Sequence, residues 1–312
     1  MSDFQSYKKM LSDWAQEQEP VFIVGPERSG TSLLFQQVSN HPSFCDFKHA
    51  TVETFCFVKP WLLLAPASSQ NYEMRVYLGQ KNMVSFQESI KPFIERNMML
   101  TGQGMSVDYI NQKNRKNIWI ERRYKHVLRA FFYHSSQHLG NKRLVEKTPA
   151  HIRCVDEIVE AFPRAKILIC TREVTEIIAS HKKRLLSEVE LGKDEKDPSL
   201  AWLSHDVKQY VKYFKSIDNA IKKIQQSGCR HLIVPYSQLT CSAESTMSGI
   251  YKFLSEENIM KTSDVKSRKG QGWDLLLNNP PQKNEINISK YLKPDEIIFV
   301  ESQKKFFGDF WR

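Results

Sequence analysis

Two short stretches of the sequence carry side chains that could grip the two ends of one polyanion. The first is Gly25-Pro26-Glu27-Arg28-Ser29-Gly30-Thr31-Ser32. The glycines have phosphate-loop spacing, and the Ser/Thr pair opens the segment that follows. In such a loop the backbone N–H groups converge on an anion, and the positive end of a helix dipole adds to the attraction. Arg28 is the loop's one cation. A loop built for a nucleoside triphosphate carries Lys where this chain has Thr31, because that Lys reaches the β- and γ-phosphates. Its absence argues against a kinase or ATPase and suits a smaller, less charged terminal group. The second stretch begins at Arg172, with Ser180 eight residues on. On a helix that spacing sets the hydroxyl about two turns from the start, where it and a guanidinium can bracket one phosphate.

These residues need a frame. Val21 to Val24 is an apolar run bounded by Pro20 and Gly25, which predicts a buried parallel strand. Leu33, Leu34 and Val38 line one face of a following helix. Residues 50–120 lack a clean period and predict short helices and loops. A helix is expected over 121–139 and a strand over 143–147. Thr148 can cap a helix that has Pro149 at its first position, with Ile152, Val155, Ile158 and Val159 inward and Phe162-Pro163 at its end. Lys166 to Thr171 predicts a strand and Glu173 to about Leu186 a helix. The charged segment 187–199 predicts a mobile loop, 200–226 a long amphipathic helix, and 231–236 a further strand, with a helix to about Leu254. Strands alternating with helices imply an α/β fold: a central parallel sheet flanked by helices in three αβα layers. Ligands of such sheets bind beyond the carboxyl ends of the strands. The polar loops at 25–32, 147–149 and 171–173 would all lie there.

Composition sets the bounds. The chain has 312 residues, 41% of them hydrophobic, which is enough for one large α/β domain. A net charge of +10 favours an anionic ligand without choosing among nucleotide, nucleic acid, sulfated molecule or anionic membrane. Nucleic acid rests on charge alone, since no helix-turn-helix, RRM or zinc pattern supports it. The six cysteines form no C-x-x-C pair, so neither a metal site nor a disulfide framework is expected. The first twenty residues lack the apolar stretch of a signal peptide, and the longest apolar run, at Trp61, is too short to cross a bilayer. A reduced, cytoplasmic protein is the expectation.

Taken together, FIVGPERSGTSLL resembles the 5′-phosphosulfate loop of the sulfotransferase superfamily, usually written P-[KR]-S-G-T-[TS], with Glu27 where Pro is usual. ILICTREVTEIIAS resembles that superfamily's 3′-phosphate motif, a strand ending in Arg with a helical Ser eight residues on. The resemblance runs over roughly 21–55 and 143–255 and is closest to bacterial and tyrosylprotein-type enzymes. It implies a P-loop-like fold and sulfonate transfer from 3′-phosphoadenosine-5′-phosphosulfate (PAPS), with release of adenosine 3′,5′-bisphosphate (PAP) and no metal. Arg28, Ser29, Gly30, Thr31 and Ser32 would then hold the 5′-phosphosulfate, and Arg172 and Ser180 the 3′-phosphate. Lys147 matches a Lys before a small polar residue and Pro between these motifs. Tyr236 matches a strand-end Tyr near the nucleotide. Arg268, Lys269 and Gly270 resemble a 3′-phosphate-contacting R-K-G of the cytosolic branch.

The same resemblance puts the general base, a Glu or His, some twenty residues after the loop, where this chain offers His49 and Glu53. It divides a single domain, 1–312, into a phosphosulfate and base region (18–55), a 3′-phosphate βαβα core (143–186) and acceptor-binding insertions (56–142 and 187–205). The acceptor stays open among small molecule, sugar, lipid and peptide. No nucleic acid and no stable membrane insertion are expected, and a homodimer is compatible with the sequence. The rival readings are a P-loop kinase of small metabolites and a nucleotide- or polyanion-binding protein without catalysis.

Overall fold

A computed structural model describes residues 2–45, 53–59, 61–64, 72–101, 124–258, 281 and 285–311. Its centre is one parallel sheet of four strands: β1 Val21–Val24, β2 Val145–Lys147, β3 Lys166–Thr171 and β4 His231–Pro235. They lie in the order β2-β1-β3-β4. Ile23 sits opposite both Lys147 and Leu168, and Thr171 opposite Pro235. Parallel pairing in this register brings all four carboxyl ends to one edge. Gly25, Thr148, Arg172 and Tyr236 follow directly from it.

Every residue of β1 and β3 is buried. A strand covered on both faces has no polar side to show, which is why both read as continuous apolar runs. Phe22 faces an aromatic layer, its ring 5.7 Å from Phe57, 5.6 Å from Phe132 and 6.3 Å from Phe162. Between β1 and β2 the described residues include α2 Thr31–Ser39, a short helix over Trp61–Leu64, α3 Tyr72–Thr101 and α4 Tyr124–His138. An N-terminal helix, α1 Ser2–Glu17, packs on α4. Its Trp14 meets Tyr133 and Phe162 edge-on, and buried Arg129 donates from Nη1 to Ser12 Oγ at 2.9 Å.

Several expectations need correction. The region read as short helices and loops holds α3, Tyr72–Thr101, two helical segments that meet at Gly79, the second of them long. Its apolar stripe is broken in the sequence by Gly79 and Pro92. Gly79 has φ +63, and a Cβ there would stand 2.7 Å from His138 Nδ1, so the chain kinks where no side chain fits. The turn after β2 is a 3₁₀ helix, Pro149–Cys154, before α5 Val155–Ala161. Thr148 does not cap it, because its hydroxyl donates to Glu146 at 2.6 Å. Helix α6, Val174–Glu190, is capped by the Glu173 carboxylate and runs into the segment expected to be a loop. There Glu188 accepts from Arg184 and, at 2.7 Å, from Lys193, which holds the extra turn. Helix α7, Val207–Gln226, starts later than residue 200, at an Asp206–Gln209 capping box. Its stripe of Tyr210, Val211, Phe214, Ile217, Ile221 and Ile224 is buried as the spacing requires.

Helix α8, Ala243–Leu254, follows a short helix over Tyr236–Cys241. Asp218 pins the C-terminal segment, accepting from Gly308 N at 2.8 Å and Trp311 Nε1 at 3.0 Å. Among the described residues, no helix is long and apolar enough to cross a membrane.

Candidate functional site

The loop after β1 is shaped by its own sequence. Ser29 is buried and its hydroxyl closes the turn on the Pro26 carbonyl at 2.7 Å. Arg28 adopts φ +69, a conformation that costs free energy in any residue with a Cβ and persists only where the surroundings fix it. Gly30, the residue before α2, has φ +99, and a Cβ on it would lie 2.6 Å from Cδ2 of Tyr236. So the ring of Tyr236, from the end of β4, rests on the loop where glycine alone leaves room. Thr31 is buried at the start of α2.

The second motif meets the first at this loop. Arg28 Nε donates to Ser180 Oγ at 3.2 Å, and Arg172 Nη1 to the Arg28 carbonyl at 3.4 Å. Arg172 also pairs with Glu176 at 2.7 Å and lies over the Tyr236 ring, 4.3 Å from its centroid. Residues chosen from three separate parts of the sequence thus form one cluster. Burial, with the charges of Arg184 and Arg172 added, brings the Arg28 guanidinium down to about 10, which leaves it protonated at neutral pH. Among the described residues, no carboxylate lies within ion-pair distance of it.

At the end of β2, Lys147 is fully buried and its Nζ donates to Glu53 Oε1. The Glu53 side chain keeps 30% of its surface exposed. Its neighbour on the strand, Glu146, does the holding. That buried carboxylate accepts from Thr54 N at 3.3 Å, Thr54 Oγ1 at 2.8 Å, Thr148 Oγ1 at 2.6 Å and His151 Nδ1 at 2.9 Å. His151 Nε2 in turn accepts from Phe57 N at 3.2 Å, which puts the imidazole proton on Nδ1. Burial pushes the Glu146 carboxyl up, but His151 and the hydroxyls of Thr148 and Thr54 outweigh it and hold it below the usual range. Adjacent strand residues point to opposite faces. Glu146 therefore ties segment 53–57 to β2 from one side, and Lys147 meets Glu53 on the other. Glu146 was not singled out in the sequence; a carboxylate inside an otherwise apolar strand is the signal that could have found it.

Arg28, Thr31, Ser32 and Glu53 line one cavity of about 910 Å³. Arg172 and Tyr236 line a smaller one of about 210 Å³. Glu27, the departure from the usual motif, accepts from the Tyr213 hydroxyl of α7 and lines the larger cavity. So does His181, which stands next to Ser180 and packs against Trp202 and Tyr210, with ring centroids 5.4 and 5.2 Å away. The His181 ring lies against the Glu27 backbone, whose hydrogen bond favours the protonated ring. Burial, aided by Arg28 and His205, takes its pKa down to about 3, so the ring is neutral. His49, Arg268, Lys269 and Gly270 fall outside the described residues.

Chemically, the arrangement offers loop amides and a guanidinium at a helix start, a second guanidinium and a hydroxyl beside them, and a carboxylate against a buried ammonium. It can bind an anion at two points, stabilise charge on a departing oxygen and take a proton. Among the described residues, no group of three or more His, Cys, Asp or Glu side chains is placed to hold a metal ion.

The profile described as "Sulfotransferase family" matches residues 20–259. No curated protein matches the chain. Among solved structures, the chain is similar to a sulfotransferase of Mycobacterium avium, at 14% identity and a TM-score of 0.47, over 98% of this chain and 84% of the other. A sulfotransferase of Mycobacterium tuberculosis H37Rv gives 14% and 0.47 over 98% and 81%. One from Alicyclobacillus acidocaldarius gives 14% and 0.44 over 93% and 95%.

Proposed function

The chain belongs to the sulfotransferase family, and from that premise we propose that it transfers the sulfonate of PAPS to a hydroxyl or amine of an acceptor, by in-line displacement, and releases PAP. The observation that carries this reading is the meeting of the two motifs: Arg172 donates to the backbone of the loop at Arg28, and Arg28 to Ser180. A donor with phosphates at both its 5′ and 3′ positions needs two anion sites this close, and the donor set is all N–H and O–H.

In this reading Arg28, Ser29, Gly30, Thr31 and Ser32 hold the 5′-phosphosulfate. Arg172 and Ser180 hold the 3′-phosphate, and Tyr236 stands beside them. Glu53 accepts the acceptor's proton. As that happens, a bond forms from the acceptor oxygen or nitrogen to sulfur, and the bond from sulfur to the 5′-phosphate oxygen breaks. Lys147 and Arg28 stabilise the negative charge left on that oxygen, in a site shielded from water, where such contacts are strongest. Lys147 Nζ holds the Glu53 carboxylate in place until it works. Residues 18–55 and 143–186 serve the donor, and 56–142 and 187–205 recognise the acceptor.

The test is mass spectrometry of a metabolite or peptide pool incubated with the chain and PAPS. A species gaining about 80 Da, the mass of one sulfonate, with parallel release of PAP, is expected. Transfer from ATP and Mg²⁺ in place of PAPS would contradict the proposal.

A further inference from the structure

The four backbone amides that follow Glu53 all end on one buried cluster of side chains, and what this implies rests on the sulfotransferase reading above. Thr54 N donates to Glu146 Oε1 at 3.3 Å and Phe55 N to Thr148 Oγ1 at 3.3 Å. Cys56 N donates to Thr54 Oγ1 at 3.3 Å and Phe57 N to His151 Nε2 at 3.2 Å. Thr54, Glu146, Thr148 and His151 are fully buried. Phe55, in the middle of the run, has φ +53, a conformation that a residue with a Cβ keeps only where its surroundings fix it.

The Glu146 carboxylate sets the direction of every bond in this cluster, because an ionised carboxylate only accepts. Thr54 and Thr148 each give their one hydroxyl proton to Glu146 Oε1, at 2.8 and 2.6 Å, and His151 gives its Nδ1 proton to Oε2 at 2.9 Å. What each has left to offer is a lone pair, and those lone pairs are the acceptors for the amides of Phe55, Cys56 and Phe57. A protonated acid or an amide at 146 would donate in at least one of these directions and set two donors face to face. The next strand residue is Lys147, whose Nζ meets Glu53. Two successive residues of β2 thus fix both members of that pair, Lys147 directly and Glu53 through the cluster. The phosphate loop is tied to the same turn by different atoms: Gly25 N donates to the Pro149 carbonyl at 3.2 Å, a backbone contact that needs none of these side chains.

We propose that Glu146, Thr148 and His151 are positioning residues for the transfer step: through the amides of 54–57 they set the Glu53 carboxylate against Lys147, where it can take the acceptor's proton. Misplacing a reacting group by about 1 Å can cost on the order of a hundredfold in rate. The anion sites at Arg28 and Arg172 do not depend on segment 53–57 for their contacts. The cluster therefore governs turnover and leaves donor binding alone.

The experiment follows PAP release from PAPS by the full chain in the metabolite or peptide pool of the transfer assay, with PAP affinity measured by calorimetry on the same preparations. Thr148→Val keeps the shape of the side chain and removes the hydroxyl. Glu146→Gln keeps the shape and reverses one arm of the cluster. Each is expected to lower the maximal rate at saturating PAPS at least tenfold, with the KM for PAPS and the affinity for PAP within threefold of native. Thr148→Ser, which retains the hydroxyl, should return the rate to within threefold of native. Native maximal rates in Thr148→Val and Glu146→Gln, or a Thr148→Ser chain as slow as Thr148→Val, would overturn the inference. So would loss of PAP affinity together with rate in both substitutions, which marks a merely structural role. Absence of PAP release by the native chain would instead remove the sulfotransferase reading on which the inference stands.

Discussion

Both edges of the sheet are rich in cations, but only one is arranged to receive an anion. At the amino-terminal edge, Glu19 lies within 2.5 Å of Arg164, 3.2 Å of Arg230, 3.5 Å of Lys166 and 3.8 Å of Arg143. Arg143 is occupied further by the Glu19 and Leu254 carbonyls, each at 2.6 Å, and by Glu256 at 3.0 Å. Burial pushes the Glu19 carboxyl up, yet Arg164, Lys166 and Arg143 more than reverse it and hold it below its ordinary value. The chain supplies its own counter-ion there. At the carboxyl-terminal edge, Arg28 donates to a neutral hydroxyl, its charged neighbours Arg184 and Arg172 repel it, and a cavity opens beside it. A cluster of positive charge is thus not a site in itself. What distinguishes the site is one cation, Arg28, with no carboxylate at ion-pair distance among the described residues, next to space.

The largest expected effects separate the edges by activity. Arg28→Ala and Lys147→Ala should each lower turnover with PAPS at least a hundredfold, about 2.7 kcal/mol of barrier, in chains that are still folded at the assay temperature. Steady-state kinetics and thermal melts on the same preparations check both. Near-native rates in both variants would erase the contrast. Glu19→Gln should do the reverse. Removing the one carboxylate that serves four cations should cost about 2 kcal/mol of stability and leave PAP affinity unchanged, read by urea unfolding and calorimetry.

The edges were not equally legible in the sequence. Strand order cannot be read from one chain, yet β1 and β3 stood out because burial on both faces leaves no alternation to misread. The loop at 25–32 was visible because backbone geometry forces a glycine at 30, which has room for nothing else beneath Tyr236, and the Arg172–Ser180 pair was visible through its eight-residue spacing after an apolar strand. The Glu53–Lys147 pairing joins positions 94 apart in the chain, and only the resemblance pointed to either residue. Glu19 gave no signal at all, because its four partners are scattered along the sequence. Helix α3 was hidden by Gly79 and Pro92, and α1 by charges spread around a face whose apolar part is only Leu11, Ala15 and the rings beside them. In the sequence His181 is followed by Lys182, Lys183 and Arg184, and nothing there announces an imidazole buried between Trp202 and Tyr210.

A smaller effect concerns pH. His181 and His126 are each brought down to about 3, mainly by burial. Both are neutral in the fold, while in the unfolded chain they take up protons below about 6.5. The unfolded state therefore binds more protons between about pH 6.5 and 3, and stability falls as pH falls through that window. From pH 7.5 to 5.5 each should cost about 1 kcal/mol. His126, stacked on Phe93 at 5.7 Å, belongs to the helical layer away from the cavity. In melts at the two pH values, His126→Phe should reduce the drop without altering PAP affinity. An unchanged drop would mean that His126 is not neutral in the fold.

The central claim is that one edge holds both ends of a doubly phosphorylated donor. It is tested most directly by titrating PAP and adenosine 5′-phosphate, which differ only in the 3′-phosphate, into the native chain and into Arg172→Ala. The native chain should bind PAP at least tenfold tighter, and the variant should lose that preference while keeping its affinity for adenosine 5′-phosphate. Equal affinity of the native chain for both nucleotides, or a preference that survives without Arg172, would contradict the account.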